Sequence, residues 1–326
     1  MFLRLKPEIA SNQPVTNTPQ FYFPDVPVIP LPEGHRFPSG KYALLRAEID
    51  RDQILGAATL QASPTATRDH LLRAHDSPYV DAMLAGTVAP DIQRRIGLPW
   101  SETLVARSRS TVGGAIASGR AALQHGISGQ LAGGTHHAHR SFGSGFCVFN
   151  DLATATLTLL DDGLAERVAI LDTDVHQGDG NSAILGSDPR VFVCSIQGEK
   201  NFPFRRVPST LDFDLPDGTG DDAYLATLAT ALDAVTAFRP DLVFFLSGAD
   251  TLKEDRLGRL DLTHTGMMQR DLTVFAHFKA HGIPVAIAIG GGYAEPIHHS
   301  VTAYANTFRA AAHIHNLTST RTYTSI

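Results

Sequence analysis

Four short stretches of this chain gather acids, imidazoles and a phenol where apolar runs end. In ILDTDVHQGDG (170–180), Asp172, Asp174, His176 and Asp179 follow aliphatic residues. SGADTL (247–252) carries Asp250, IGGGY (289–293) carries Tyr293, and THHAH (135–139) carries His136, His137 and His139 behind a double glycine. Asp174 and His176 are two apart, and residues i and i+2 of extended chain point the same way. They can share one cation, with Asp250 arriving from another segment as a third ligand. Two carboxylates and one imidazole suit Zn²⁺ with a position left open for water, or Fe²⁺. Alone, an Asp-x-His pair reads more readily as a loop that caps the next turn; the third carboxylate tips the balance toward a metal.

Adjacent residues rarely face the same way in a regular element, but a glycine-supported loop can aim both His136 and His137 inward. Histidine is the side chain most easily poised as acid or base near pH 7. His139 is assigned to a surface or loop position. Asp172 and Asp179 either accept from the far nitrogens of imidazoles, fixing their tautomers, or cap the following turn. Tyr293, after three glycines, reads as an exposed aromatic on a mobile loop or as a donor to a developing oxyanion.

Four runs that are apolar throughout, at 167–171, 190–196, 241–248 and 283–292, predict parallel strands buried on both faces. A weaker run, SGQLAGG, leads into the histidines, and an early strand is expected within 21–29. Helices are predicted over 101–125, from Ser101 as N-cap to Gly126 as stop, over 221–238 and over 263–281. Such alternation argues for an α/β fold, a parallel sheet with helices on both faces. In such sheets ligands bind outside the carboxyl ends of the strands, where the four stretches lie. One domain is expected over 21–315, between an irregular segment at 1–20 and a tail at 316–326.

The chain has 326 residues, 43% hydrophobic and 18% charged, with a net charge of −6. That size supports a core without disulfide or metal staples, so a metal would serve function first. The acidic balance argues against nucleic-acid binding. Two cysteines, Cys147 and Cys194, are too few for a disulfide framework. The N-terminus lacks the pattern of a signal peptide, and no apolar run approaches the ~20 residues of a membrane span. A cytoplasmic protein is expected, with no membrane partner; oligomeric state is open.

GGTHHAHRSFGSGFCVFND (133–151), ILDTDVHQGDG, SGADTLKEDRLGRL (247–260) and IGGGY resemble, in order, the motifs of the zinc-dependent histone deacetylase family. PLPEGHRFPSGKYALL and the DVHQGDG form, with Gln177 where other branches carry a second histidine, resemble the class IV branch and its bacterial relatives. The resemblance implies an arginase/deacetylase-like three-layer fold with a central, mostly parallel sheet. It also implies that Asp174, His176 and Asp250 bind Zn²⁺ and that His136 and His137 flank the attacking water, with His137 the principal base. Asp172 would pair with the first histidine, Asp179 with the second, and Tyr293 would donate to the substrate carbonyl. Gly145, Phe146 and Phe202 would line an acyl-lysine channel with Leu257 at its rim. Loops near Trp100 and Glu102 and from Phe202 to Arg206 are expected to set specificity. Asp172, the carbonyls of Asp174 and His176, and Ser195 would hold a structural K⁺. The implied substrate is an acylated lysine in a peptide or protein, or a small acylated amine such as an acetylpolyamine. Three other readings compete: a two-Mn²⁺ ureohydrolase, which would need more bridging carboxylates than GADT supplies; a non-catalytic acyl-lysine-binding module; and an α/β domain whose Asp and His residues only cap loops.

Overall fold

The computed structural model describes residues 18–317. Most of the expected 1–20 segment, and the tail beyond residue 317, lie outside the described residues. Asn316 and Leu317 do not begin a loose tail. Asn316 closes the last helix in the left-handed region, and Leu317 is buried, its carbonyl accepting from Ala57 N at 2.8 Å.

Eight strands are described: β1 Gln20–Phe23, β2 Thr59–Ala62, β3 Ile127–Gln130, β4 Val168–Asp172, β5 Val191–Gly198, β6 Leu211–Leu215, β7 Leu242–Ser247 and β8 Val285–Ile289. Ten helices surround them: α1 Lys41–Arg51, α2 Arg68–Ala74, α3 Ser77–Ala85, α4 Pro90–Ile96, α5 Glu102–His125, α6 Asp151–Asp161, α7 Asp179–Leu185, α8 Asp221–Ala237, α9 His264–Ala280 and α10 His298–His315. The strands form one sheet, ordered β2-β1-β3-β8-β7-β4-β5-β6, and every pairing is parallel.

Burial of both sheet faces explains why the central strands are apolar throughout. In β4, Ala169 and Leu171 pack with α1, α8, α9 and α10, while Val168 and Ile170 pack with α5 and α6 on the other side. The phase repeats in β7, with Val243 and Phe245 on the first face and Leu242, Phe244 and Leu246 on the second. Helix starts follow local chemistry: Ser101 accepts from Leu104 N at 3.0 Å and Thr263 from Gly266 N at 3.0 Å.

Two strands were not legible as apolar runs. Thr59–Ala62 and Leu211–Leu215 are the two edges, mostly exposed or half-buried, and carry Thr, Gln and Asp. The early strand is shorter than 21–29 because Pro24 and Pro27 lack the N–H a central ladder needs. The 283–292 run ends as strand at Ile289, and its glycines turn toward the site.

Neighbouring strands lie about 4.8 Å apart, so the order β3-β8-β7-β4 sets four strand exits side by side. A buried ion pair braces this edge. Arg270 of α9, fully buried, meets Asp271 at 2.8 Å and donates to the Gly248 carbonyl at 2.9 Å and to Ser247 Oγ at 2.6 Å. It thereby ties α9 to the end of β7, just before Asp250. Arg270→Ala would strand the Asp271 carboxylate in the core, so we expect a loss of about 3–5 kcal/mol in urea-unfolding stability.

Candidate metal centre and its pocket

Asp174, His176 and Asp250 present donor atoms that all lie within 4.8 Å of one another. His176 Nδ1 is 2.9 Å from Asp174 Oδ1 and 3.1 Å from Asp250 Oδ2. Asp174 and His176 leave the end of β4 and Asp250 the end of neighbouring β7. The backbone orients the carboxylates: Gly291 N donates to Asp174 Oδ2 at 2.5 Å, and Val175 N to Asp250 Oδ1 at 3.0 Å. Gly291 is glycine because a Cβ there would collide with Asp250 Oδ2.

Electrostatics fit a cation. Burial raises the Asp250 carboxyl, the Asp174 charge adds to that, and His176 opposes both, leaving it at about 7. Burial also opposes ionisation of Asp174, but His136 and His176 outweigh it and hold that carboxyl well below its usual range. Burial would lower His176, yet Asp174 and Asp250 lift it to about 10. Two carboxylates that share positive charge through an imidazole are a donor set that a dication satisfies.

Two imidazole–carboxylate pairs stand beside this cluster. The loop after β3 carries His136 and His137, both buried, with ring centroids 4.1 Å apart. His136 Nδ1 meets Asp172 Oδ2 at 2.8 Å and His137 Nδ1 meets Asp179 Oδ1 at 2.6 Å. Both carboxylates accept from Nδ1–H, so each ring keeps Nε2 on the other side; His136 Nε2 is 3.8 Å from Asp174 Oδ1. Burial works against the charged form of both rings. For His136, the charges of Asp172 and Asp174 overcome it and lift the ring to about 9. For His137, burial and the His136 charge prevail over Asp179 and lower it to about 4. Asp179 itself sits well below the carboxylate range, because hydrogen bonds from His137 and His139 overcome its burial.

His139 lies on the loop after β3, as expected, but not at the surface. It is half-buried, and its Nε2 meets the second oxygen of Asp179 at 2.9 Å. The i, i+2 reasoning applied to Asp174 and His176 also holds for His137 and His139, and would have found it.

Asp174 and His176 of this cluster line a cavity of about 700 Å³, with Asp250 behind them. Gly145, Phe146, Phe202, Leu257, Tyr293, His136 and His137 line it. Phe202 packs against His137 with centroids 4.9 Å apart, and Phe146 lies 6.0 Å from the Tyr293 ring. Gly145 and Phe146 both take positive φ, and a Cβ on Gly145 would press on the His137 ring at 2.7 Å. Tyr293 is buried, with Lys41 Nζ 5.1 Å from its ring centroid. Phe204 also lines the cavity, but Trp100 and Glu102 do not: Trp100 donates to the Met83 carbonyl at 2.9 Å, and Glu102 opens α5. Gln177 points to β6 and the segment before it, donating to Val207 O and Asp212 Oδ1, each at 2.9 Å. Ser195 lies in β5 opposite Asp172, its hydroxyl buried without a partner among the described residues.

Three positioning groups escaped the sequence reading. Asp255 accepts from Tyr293 N at 2.5 Å and from Leu257 N at 2.8 Å, joining the two sides of the pocket. Asp151 accepts from Thr135 N at 2.9 Å and Gly134 N at 3.1 Å, shaping the histidine loop. Buried Lys41 donates to the Gly292 carbonyl at 3.2 Å and Tyr304 Oη at 2.9 Å. Their signal was present only as acids and a lysine inside quoted motifs.

Comparison with known proteins settles what this architecture is. The Histone deacetylase domain model matches residues 35–308. The chain belongs to the histone deacetylase family. An uncharacterized protein of Picosynechococcus sp. is 45% identical over 298 residues, 91% of this chain and 99% of that one. Histone deacetylase 2 of Arabidopsis thaliana is 28% identical over 82% of this chain and 72% of its own length. A probable deacetylase of Archaeoglobus fulgidus is 30% identical over 69% of this chain and 67% of its own. The all-parallel sheet is that of the arginase/deacetylase fold, and family membership implies hydrolysis of the deacetylase type with a metal cofactor. The cluster of Asp174, His176 and Asp250 fits such a metal. Gly291→Ala should weaken divalent-metal binding roughly 10–100-fold, as outer-shell changes do, read by competition with a metal-sensitive dye. Unchanged affinity would show that the Asp250 carboxylate does not depend on the space left by the missing Gly291 Cβ.

Proposed function

We propose that this histone deacetylase-family chain is a zinc-dependent lysine deacylase whose metal is held by Asp174, His176 and Asp250. The observation that carries the reading is that Asp174, His176, His136 and His137 line one aromatic-lined cavity, with Asp250 clustered behind the first two and Asp172 and Asp179 holding the two imidazoles. Zn²⁺, or Fe²⁺ in the same donor set, would supply Lewis acidity that acidifies water and polarises the amide carbonyl.

The protein's own residues do the rest. Gly145, Phe146 and Phe202 receive the apolar lysine stem and strip water from it, with Leu257 at the rim. The Asp179 carboxylate fixes His137 with its proton on Nδ1, and burial keeps the ring neutral, so Nε2 offers a lone pair. His137 takes a proton from water as the water oxygen attacks the carbonyl carbon. It returns that proton to the nitrogen as the C–N bond breaks, giving a carboxylic acid and a lysine amine, which separate as carboxylate and ammonium. His136, lifted by Asp172 and Asp174, favours the charged form and supports the developing negative charge. The Tyr293 hydroxyl donates to the oxyanion.

The cavity lining distinguishes among substrates. Arg36, Arg94, Arg95 and Arg107 line it, beside Lys200 and Arg259 that pair with Asp217, and Asp174 is the sole acid among its described lining residues. Acetylpolyamines keep charged amines that such a lining repels, whereas an acylated lysine is neutral and its peptide can be acidic. Acyl-lysine peptides are therefore favoured over small acylated amines. A non-catalytic acyl-lysine-binding module would not need a fixed, neutral His137.

The proposal includes a structural K⁺ held by Asp172, the carbonyls of Asp174 and His176, and Ser195; the unpartnered Ser195 hydroxyl supports it. It also includes a class IV-like form, from Gln177, one domain over 21–315 and a cytoplasmic location. No helix among the described residues is long and apolar enough to cross a membrane.

A hydrolysis screen over acetyl to long-chain acyl-lysine peptides and acetylpolyamines tests the reading. Peptides should exceed polyamines in kcat/KM by at least about tenfold, the value of one or two favourable charge contacts. Tyr293→Phe should lower kcat by about 10²–10³, as loss of an oxyanion donor does. Full activity in both Tyr293→Phe and His137→Ala would overturn the mechanism.

A further inference from the structure

A second group of ligand-type side chains lies outside the pocket. Glu254, His264 and His299 come from three segments: the turn after β7, the first residue of α9 and the first turn of α10. Each offers a donor atom within 4.8 Å of the others. All three are half-buried. From this cluster we propose an auxiliary site for a divalent transition-metal ion, with Glu254, His264 and His299 as its ligands.

The geometry suits that class of ion. His264 Nε2 and His299 Nδ1 are 3.1 Å apart. Tetrahedral bonds of about 2.0–2.1 Å set neighbouring donors about 3.3 Å apart, so this spacing needs little adjustment. One carboxylate and two imidazoles, with a fourth position left to water, form a donor set for Zn²⁺ and its neighbours rather than for Mg²⁺ or Ca²⁺.

Unmet hydrogen bonding is the independent observation. Glu254 Oε2 is buried with no hydrogen-bond partner among the described residues. A buried carboxylate oxygen without donors is costly, and a cation relieves it. Lys253 Nζ approaches only the other oxygen, at 3.8 Å, and is half exposed, so it competes weakly. Two helix N-termini carry partial positive charge here, which opposes any cation; the Glu254 carboxylate offsets it.

Such an ion would tie the 251–258 turn to α9 and α10. Asp255, next to Glu254, holds Tyr293 N, so the site braces the segment that positions the pocket's phenol. The claim rests on the reading of the pocket only in this consequence, not in the binding itself.

The test counts bound metal. Protein stripped with chelator is titrated with Co²⁺, and bound equivalents are read by elemental analysis and visible d–d absorption. The native chain should bind two equivalents, H264A/H299A one, D174A/H176A one, and the fourfold variant none. Glu254→Gln should weaken the auxiliary site at least tenfold. The inference is overturned if H264A/H299A binds as much Co²⁺ as the native chain, or if D174A/H176A, folded by circular dichroism, binds none. If D174A/H176A does not fold, the H264A/H299A comparison decides alone. Two equivalents retained in D174A/H176A, one of them lost on adding H264A/H299A, would support this site while refuting the pocket cluster.

Discussion

Buried negative charge at the carboxyl edge of one sheet is the constraint around which this structure is arranged. Asp151, Asp172, Asp174, Asp179, Asp250 and Asp255 are all buried there. Isolated carboxylates would be prohibitively expensive in such a setting, so each must find donors, protons or a cation. Asp151 and Asp255 are met by backbone N–H groups, Asp172 and Asp179 by imidazoles. Asp174 and Asp250 have the His176 ring and three backbone N–H groups between them and still attract positive charge. A metal held there would answer that residual demand.

The fold makes the convergence affordable. A parallel sheet brings strand ends together, and both faces are sealed by helices, so the charged edge is embedded while the core beneath stays apolar. Close approach is then a matter of small residues and braces. Gly291 lets backbone reach the carboxylates, and Arg270 locks the turn from which Asp250 departs. Burial disfavours the charged form of both histidines, but the aspartates part them: His136 faces two carboxylates that overcome burial and is lifted, while His137 faces one carboxylate and a charged neighbour and stays lowered.

Much of this was legible in the sequence because buried parallel strands write themselves as unbroken apolar runs. Val168–Asp172 and Leu242–Ser247 were readable for that reason, and the residues just past them were the ones to examine. Edge strands β2 and β6 were not, since half-exposed strands carry polar residues and lose the pattern. In the site, residues with ligand chemistry stood out, whereas positioning groups did not. Asp255 and Asp151 act through backbone N–H groups, a relation that composition cannot reveal. His139 reads as a surface or loop position because nothing in the sequence shows that the two oxygens of Asp179 meet two histidines. The motifs carried the family; the cationic lining of the pocket became visible only when distant arginines and lysines were seen to share one cavity.

The central claim is that the charge gathered by Asp174, His176 and Asp250 is answered by a metal on which amide hydrolysis depends. Its most direct measurement is hydrolysis of an acetyl-lysine peptide by protein stripped with chelator and then reloaded with Zn²⁺, beside an Asp250→Asn variant treated identically. Activity should vanish on stripping, return with Zn²⁺ in the native chain, and fail to return in the variant. Turnover that persists in fully stripped protein, or that Zn²⁺ restores equally in Asp250→Asn, would contradict the account.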